Sequence, residues 1–370
     1  MKACGNQEAK VAVRVPTRID LAGGTVDIWP LYLFHPGAIT INAAINLWVW
    51  VRLARLPHRG ISLVDAKRGR LGFWRSLKEM RGHRGTELFC TALEHFPVQG
   101  GLAIEAFSQG PRGAGLAGSS ALLVALCASL MRLNGQRLAR ERFVFLIRDL
   151  ETRLIRVPAG FQDYYPAIWG GVQALRWEPG RVRRTRLKVR QKELEKHLLL
   201  VYTGLSRYSG TNNWEVFKGY IDGNRKIRNV ANEIVEASRE MFIALEKGDF
   251  WQAGRAMARE ARARKRLFPG IATPDILELE RFLVRRGAIA VKVCGAGGGG
   301  CVLVYAEPER RAAFAEGIRQ KGFHVLPFRI TNCGLTFGSW EAEHPWSSLP
   351  TGNPLGKSDR RRATEADSRP

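Results

Sequence analysis

Acidic residues are in short supply in this chain: 34 Asp plus Glu stand against 58 Lys plus Arg over 370 residues, a formal charge of +24. Such a surplus attracts polyanions without any dedicated site. The basic clusters, Arg181 to Arg190 and Lys357 to Arg362, lack the interleaved aromatics that stack on bases. The first reads as an exposed strand with a basic outer face, so no specific nucleic-acid partner is expected. Long apolar runs are missing as well. None approaches the ~20 residues of a membrane span, and Met1 to Glu8 has no apolar core of a secretion signal, which predicts a cytoplasmic protein. The six cysteines form no CxxC pair and no Cys-to-His spacing, which argues against a zinc site or a disulfide framework. The seven histidines form no triad or metal spacing, and no internal repeat is present.

What is present is glycine in the right places. Pro111-Arg-Gly-Ala-Gly-Leu-Ala-Gly-Ser-Ser-Ala121 is a glycine-rich loop running into an apolar, helix-like segment. Gly113, Gly115 and Gly118 remove the side chains that keep an anion off the backbone and permit dihedrals that turn successive N–H groups inward. A helix following directly adds unpaired N–H groups and the positive end of its dipole. Ser119 and Ser120 then fall in the first turn, where a hydroxyl either caps the helix or reaches a metal ion.

The hydrophobic content of 45% suits two domains. Alternation and apolar type predict strands at Lys10 to Val15, Ala38 to Arg55, Gly101 to Phe107, Val172 to Trp177 and Arg181 to Val189, with Pro16 to Pro30 and Val157 to Gly171 as loops. Helices are expected at Thr86 to His95, Ala121 to Leu133 and Leu138 to Arg153. A second unit runs strand (Leu198 to Tyr202), helices (Trp214 to Lys247, Phe250 to Arg266, Asp275 to Arg285), strand (Ile289 to Cys294), a further glycine loop, strand (Cys301 to Tyr305), helix (Pro308 to Lys321) and strand (His324 to Ile330). The order predicts an α+β protein with two layers in each half, divided as 1–191 and 192–344, and a mobile basic tail over 345–370.

Two local patterns point elsewhere. Gly113 to Gly118 matches G-x-G-x-x-G, yet helix follows helix with no second strand bearing a ribose-binding acid, which disfavours a dinucleotide fold. Gly356-Lys-Ser358 lacks the upstream glycine of a P-loop.

Three blocks taken together say more: Pro16-Thr-Arg-Ile-Asp-Leu-Ala-Gly-Gly-Thr-Val-Asp27, Pro111 to Ala121, and Lys292-Val-Cys-Gly-Ala-Gly-Gly-Gly-Gly-Cys301. In order and spacing they resemble the GHMP kinases, a family named for galactokinase, homoserine kinase, mevalonate kinase and phosphomevalonate kinase. The opening block, Gln162-Asp163-Tyr164 before Trp169-Gly170-Gly171, and Tyr202-Thr-Gly-Leu-Ser-Arg207 are most similar to the heptose 7-phosphate kinase branch, then to fucokinase and galactokinase. The resemblance implies an N-terminal domain like domain 2 of ribosomal protein S5 and a ferredoxin-like C-terminal domain. It implies ATP and Mg2+ as cofactors and phosphorylation of a hydroxyl on a sugar or sugar phosphate. A regulatory or nucleic-acid-binding use of the fold and a mevalonate-type kinase are the alternatives.

By the same resemblance, Pro111, Gly113, Ala114, Gly115, Leu116, Gly118, Ser119 and Ser120 bind ATP, and Ser120 with Glu151 holds the metal. Asp163 is the candidate general base, and Arg18 keeps it ionised. Gly24, Thr25, Asp27, Asp163, Arg207, Gly297 and Gly298 are expected to bind the acceptor. Two departures bear on substrate identity: Gly24-Thr25-Val26-Asp27 replaces the Gly-Gly-Thr-Asp of the heptose kinases, and Phe161 stands where they commonly carry lysine.

Overall fold

The computed structural model describes residues 10–66, 69–204 and 210–338. The N-terminal half is built on an eight-stranded sheet: β1 (Lys10–Ala22), β2 (Ile39–Leu56), β3 (Gly60–Asp65), β4 (Gly69–Trp74), β5 (Gly101–Ser108), β6 (Val172–Glu178), β7 (Arg181–Arg186) and β12 (Thr336–Gly338). The 18-residue β2 organises it, pairing its first half with β6 and its second half with β5, while β1 runs antiparallel along most of its length.

β1 continues seven residues past the expected stop at Val15, into what the sequence suggested was loop. Pro16 lies at a register shift against β2, the kind of bulge that tolerates a residue with no N–H, and the ladder resumes at Thr17. This extension carries Arg18 and Asp20 to the junction of the two halves.

Helices α1 (Leu77–Met80) and α2 (Glu87–His95) precede β5, which delivers the first glycine loop to α3 (Gly118–Leu133). Twelve of the sixteen residues of α3 are buried, so it is the central helix on which Val11, Val13, Val15, Val49, Val51 and Leu53 pack from the inner face of the sheet. α4 (Arg140–Ile155) and α5 (Tyr164–Trp169) complete this layer. α5 falls inside the segment read as loop: Pro166 is its third residue, where the first turn tolerates a missing N–H, and Gly170 ends it at φ +67.

The second half holds a four-stranded antiparallel sheet of β8 (Leu198–Tyr202), β9 (Ala290–Val293), β10 (Cys301–Tyr305) and β11 (His324–Leu326), in the order β11-β8-β10-β9. Counted within the domain that is 4-1-3-2, the split βαβ order of a ferredoxin-like fold. α6 (Gln191–Lys196) precedes it. α7 (Gly210–Ile221) and α8 (Arg225–Lys247) replace the single helix expected from Trp214 to Lys247. Gly223 at φ +84 breaks the run, and Asn224 caps α8 by accepting from the N–H groups of Lys226 and Ile227.

α8 and α9 (Phe250–Leu267) cover one face of this sheet through Leu198, Leu200, Tyr202, Leu303 and Tyr305. α10 (Pro274–Arg285) and α11 (Arg311–Gln320) cover the other through Leu199, Val201, Val302 and Val304. The sheet is therefore sandwiched, three layers instead of the two expected, as the uninterrupted apolar runs in β8 and β10 require. Residues 329–338 return to the first sheet: Asn46 N–H donates to Arg329 O, and β12 pairs with β1. Residues 60–80, which carried no expected element, form β3, β4 and α1.

Candidate active site

The two glycine loops meet backbone to backbone. Gly115 adopts φ +72, and a Cβ there would lie 2.4 Å from the carbonyl oxygen of Cys294; a Cβ on Gly300, at φ +83, would lie 2.6 Å from Gly113 O. Cys301 N–H closes the contact on Ala114 O at 2.8 Å. Glycine is required on both sides because each loop occupies the space a side chain would need. The second loop thus braces the first.

The first loop ends with Ala117 at φ +60 as the cap of α3, and the first helical bond shown runs from Ala121 N–H to Ala117 O. The N–H groups of Gly118, Ser119 and Ser120 precede it, at the positive end of the helix dipole. Beside this end stands Glu151 in α4. Ser120 Oγ donates to its Oε1 at 2.9 Å and Tyr164 Oη donates to its Oε2 at 2.6 Å. Burial pushes the Glu151 carboxyl up to about 7, against the pull of the two hydroxyls and of Arg18.

Arg18 links the loop to the acid after it. Its Nε and Nη2 donate to Oδ1 of Asp163 at 2.9 and 2.7 Å, its Nη1 donates to Gly115 O at 2.6 Å, and its backbone N–H donates to Leu116 O at 3.1 Å. The Arg18 side chain is 4% exposed and that of Asp163 27% exposed, so the pair is fixed from below while the carboxylate keeps a face toward the cleft. Asp27 lies on the same cleft, its Oδ2 accepting from Gln162 N–H at 3.0 Å and closing on Gly160, where a Cβ would come within 2.2 Å of it. Burial pushes the Asp27 carboxyl up to about 6.

All of this borders one cavity of about 500 Å³ between the two halves. Arg18, Thr25, Asp27, Pro111, Gly113, Ala114, Gly115, Leu116, Gly118, Ser119, Ser120, Glu151, Asp163 and Gly297 are among its lining. Gly24 and Gly298 lie just behind it. A Cβ on Gly24 would meet Arg264 Nη2 at 2.3 Å, and Gly298 N–H is turned to Ile271 O at 2.9 Å. Arg207 lies outside the described residues, as does the tail. Phe161 is 1% exposed and packs on Phe145 and Trp177.

Sequence reasoning assigned nothing to a buried charge quartet of which Arg264 borders the cavity and Asp20, Glu260 and Lys292 lie behind it. Lys292 Nζ lies 3.2 Å from Asp20 Oδ2 and 2.9 Å from Glu260 Oε2, and Arg264 lies 3.1 Å from Asp20 and 3.2 Å from Glu260. None of the four is more than 3% exposed. The signal was present: Ile19-Asp20-Leu21 and Val291-Lys292-Val293 each set one charge among strand apolars, an arrangement that demands a partner. Glu260 and Arg264, one helical turn apart in α9, carried no such mark.

Two family models match this chain, one described as GHMP kinases N terminal domain over residues 83–171 and one as GHMP kinases C terminal over residues 241–324. The chain is 24% identical over 340 residues to a D-glycero-alpha-D-manno-heptose 7-phosphate kinase of Campylobacter jejuni, covering 89% of this chain and 98% of that one. It is 25% identical over 327 residues to the bifunctional fucokinase/GDP-fucose pyrophosphorylase of Arabidopsis thaliana, covering 83% of this chain and 31% of that longer one. Its fold is similar to the crystal structure of a D-glycero-D-manno-heptose 1-phosphate kinase from Bacteriodes thetaiotaomicron, with a TM-score of 0.71 at 20% identity over 89% of this chain and 99% of that one. Among the described residues no helix is long and apolar enough to cross a membrane. With both loops braced against each other, the acid and arginine at their junction, and both halves matched, the chain belongs to the GHMP kinases, a family of ATP-dependent small-molecule kinases.

Proposed function

We propose that this cleft transfers the γ-phosphoryl group of ATP to a hydroxyl of a sugar or sugar phosphate. The observation that carries the reading is Asp163, held by Arg18 at the point where the phosphate loop meets the Thr25 to Asp27 acceptor loop. In-line transfer forms a bond between the acceptor oxygen and γ-phosphorus, breaks the bond between γ-phosphorus and the β,γ-bridging oxygen, and passes the hydroxyl proton toward Asp163. The transition state is loose, so orientation of that hydroxyl matters at least as much as proton removal.

The loop N–H groups from Gly113 to Ser120 supply donors to the phosphates with little reorganisation. Ser120 and Glu151 present hard oxygen atoms side by side, a donor set suited to Mg2+, which completes its shell with water and nucleotide phosphates. When bound, the ion neutralises developing phosphate charge. Leu71, Leu88, Phe89 and Leu122 add apolar lining to the cavity that suits the adenine ring.

Thr25, Asp27, Gln162 and Asp163 add hydroxyl, amide and carboxylate oxygens to the same lining. Donor-rich polyols fit this lining. An acceptor whose own carboxylate had to sit there would meet two like charges. Phe161, packed inward, brings no cation, so any acceptor phosphate would have to be met from elsewhere, Arg207 being the candidate named above. The relatives named for heptose phosphates and fucose support the sugar reading.

An ADP-release screen over free hexoses, fucose, heptoses and their phosphates tests this: Mg2+-dependent release with at least one of them is expected, and none with any sugar would overturn it. A pH profile on the acceptor found, taken at saturating Mg2+ and ATP so that the metal site stays filled, should show kcat/KM for the acceptor falling on the acid side with a midpoint near pH 6. There the Asp27 carboxylate takes up a proton and ceases to accept from a sugar hydroxyl. Asp27→Asn should abolish that limb and raise the acceptor KM; a limb that persists unchanged assigns it to another group.

A further inference from the structure

Thr25 holds φ +77, a left-handed conformation that a β-branched residue adopts only when its surroundings impose it. Two residues later stands Asp27, so the dihedrals of Thr25 decide where that carboxylate points. The constraint comes from the other half of the molecule. Arg264, in the last turn of α9, donates from Nη1 to Thr25 Oγ1 at 3.0 Å and to Gly295 O at 3.4 Å. Its Nη2 and Nε are fixed meanwhile on Asp20 and Glu260, at 3.1 and 3.2 Å. One planar fork therefore touches the acceptor loop, the bracing glycine loop and two buried carboxylates, and Gly24 leaves room for it by having no Cβ.

We infer that Arg264 is a positioning residue for the acceptor, fixing the Thr25 to Asp27 loop against Gly295 through the charge quartet that joins the two halves. The inference rests on the reading of this cleft as an alcohol kinase. Lysine cannot replace the fork: its ammonium is a point charge that reaches the carboxylates or Thr25 but does not span both with defined geometry. Glu260 and Asp20 hold Arg264 in place, and its link to the phosphate loop is indirect, through Gly295. The nucleotide end should therefore feel little of a change at residue 264.

The test uses two variants of the full chain. Arg264→Lys keeps the buried charge, and the double variant Glu260→Gln with Arg264→Gln keeps the quartet neutral, so at least one is expected to fold. Each should raise the acceptor KM by about 10- to 100-fold, the effect of losing a hydrogen bond to a charged group, with kcat and the ATP KM changed less than about threefold. Backbone amide exchange at residues 24–28 should speed up while that of residues 113–120 stays as in the parent. Unchanged acceptor KM with unchanged exchange at 24–28 overturns the inference, as does an equal rise in both KM values, which would mark a general loosening of the junction. Should the wild-type chain turn over no alcohol, the alcohol-kinase reading fails, and the exchange data alone then decide whether Arg264 orders the loop.

Discussion

Asp163→Asn is expected to lower acceptor-dependent ADP release by about 10²- to 10⁴-fold while the protein still binds ATP. The amide is close in shape to the carboxylate and can accept one hydrogen bond from Arg18, so Arg18 retains its contact with Gly115 O and the phosphate loop keeps its form. What is lost is the charge and the ability to take a proton. Calorimetry should give an ATP affinity within about threefold of the parent, and single-turnover kinetics should place the whole loss in the chemical step. A turnover equal to that of the parent would remove Asp163 from its role. The size of a real loss separates two mechanisms, because an acid that merely orients the hydroxyl leaves an amide partly competent, whereas an obligatory base does not. Arg18→Gln is a different experiment, since it also removes the guanidinium from Gly115 O, leaving only the backbone bond to Leu116 O, and should weaken ATP binding along with turnover.

Much of this site was legible because glycine and charge are hard to place by accident. Five glycines within Gly295 to Gly300 exceed what a turn uses, and the reason is the backbone of the first loop, which leaves no room for Cβ at Gly295 and Gly300. Long strands and helices with clean periodicity, such as β2, α9 and β10, fell within a residue or two of their expected ends. What escaped were features whose cause lies far away in the chain. β1 looked finished at Pro16 because the bulge that carries it onward is supplied by β2. Tyr164 read as one of two adjacent tyrosines, and only the fold brings its hydroxyl to Glu151, thirteen positions earlier. Glu260 and Arg264 look like any exposed pair one turn apart on a helix with many charges. Their burial is decided by Lys292 of β9, 32 positions beyond Glu260, and by β1 of the other half, which local patterning does not report.

The same distant pairing makes Lys292 the residue whose loss should unsettle the fold most. Lys292→Met keeps the volume and the apolar stem of the side chain, yet it leaves Asp20 and Glu260 to share Arg264 as their one ion-pair partner among the described residues, with Arg18 acting on Asp20 from farther off. Removing one partner from a buried ionic cluster typically destabilises by about 3–5 kcal/mol, far more than an exposed ion pair contributes. Urea unfolding should show that loss near neutral pH. Adding Glu260→Gln, which restores neutrality to the cluster, should recover much of it. The pH dependence has a defined sign. Against the upward push of burial, Lys292 and Arg264 hold the Asp20 carboxyl below its ordinary value, so its stabilising contribution is present above the unfolded-state pKa of about 3.9 and disappears as pH falls through the lower folded-state value. The gap between parent and Lys292→Met should therefore be widest near neutrality and shrink below about pH 4. A gap that stays constant across that range would mean the lysine acts by packing alone, and a variant as stable as the parent at pH 7 would show that the quartet does not hold the domains together.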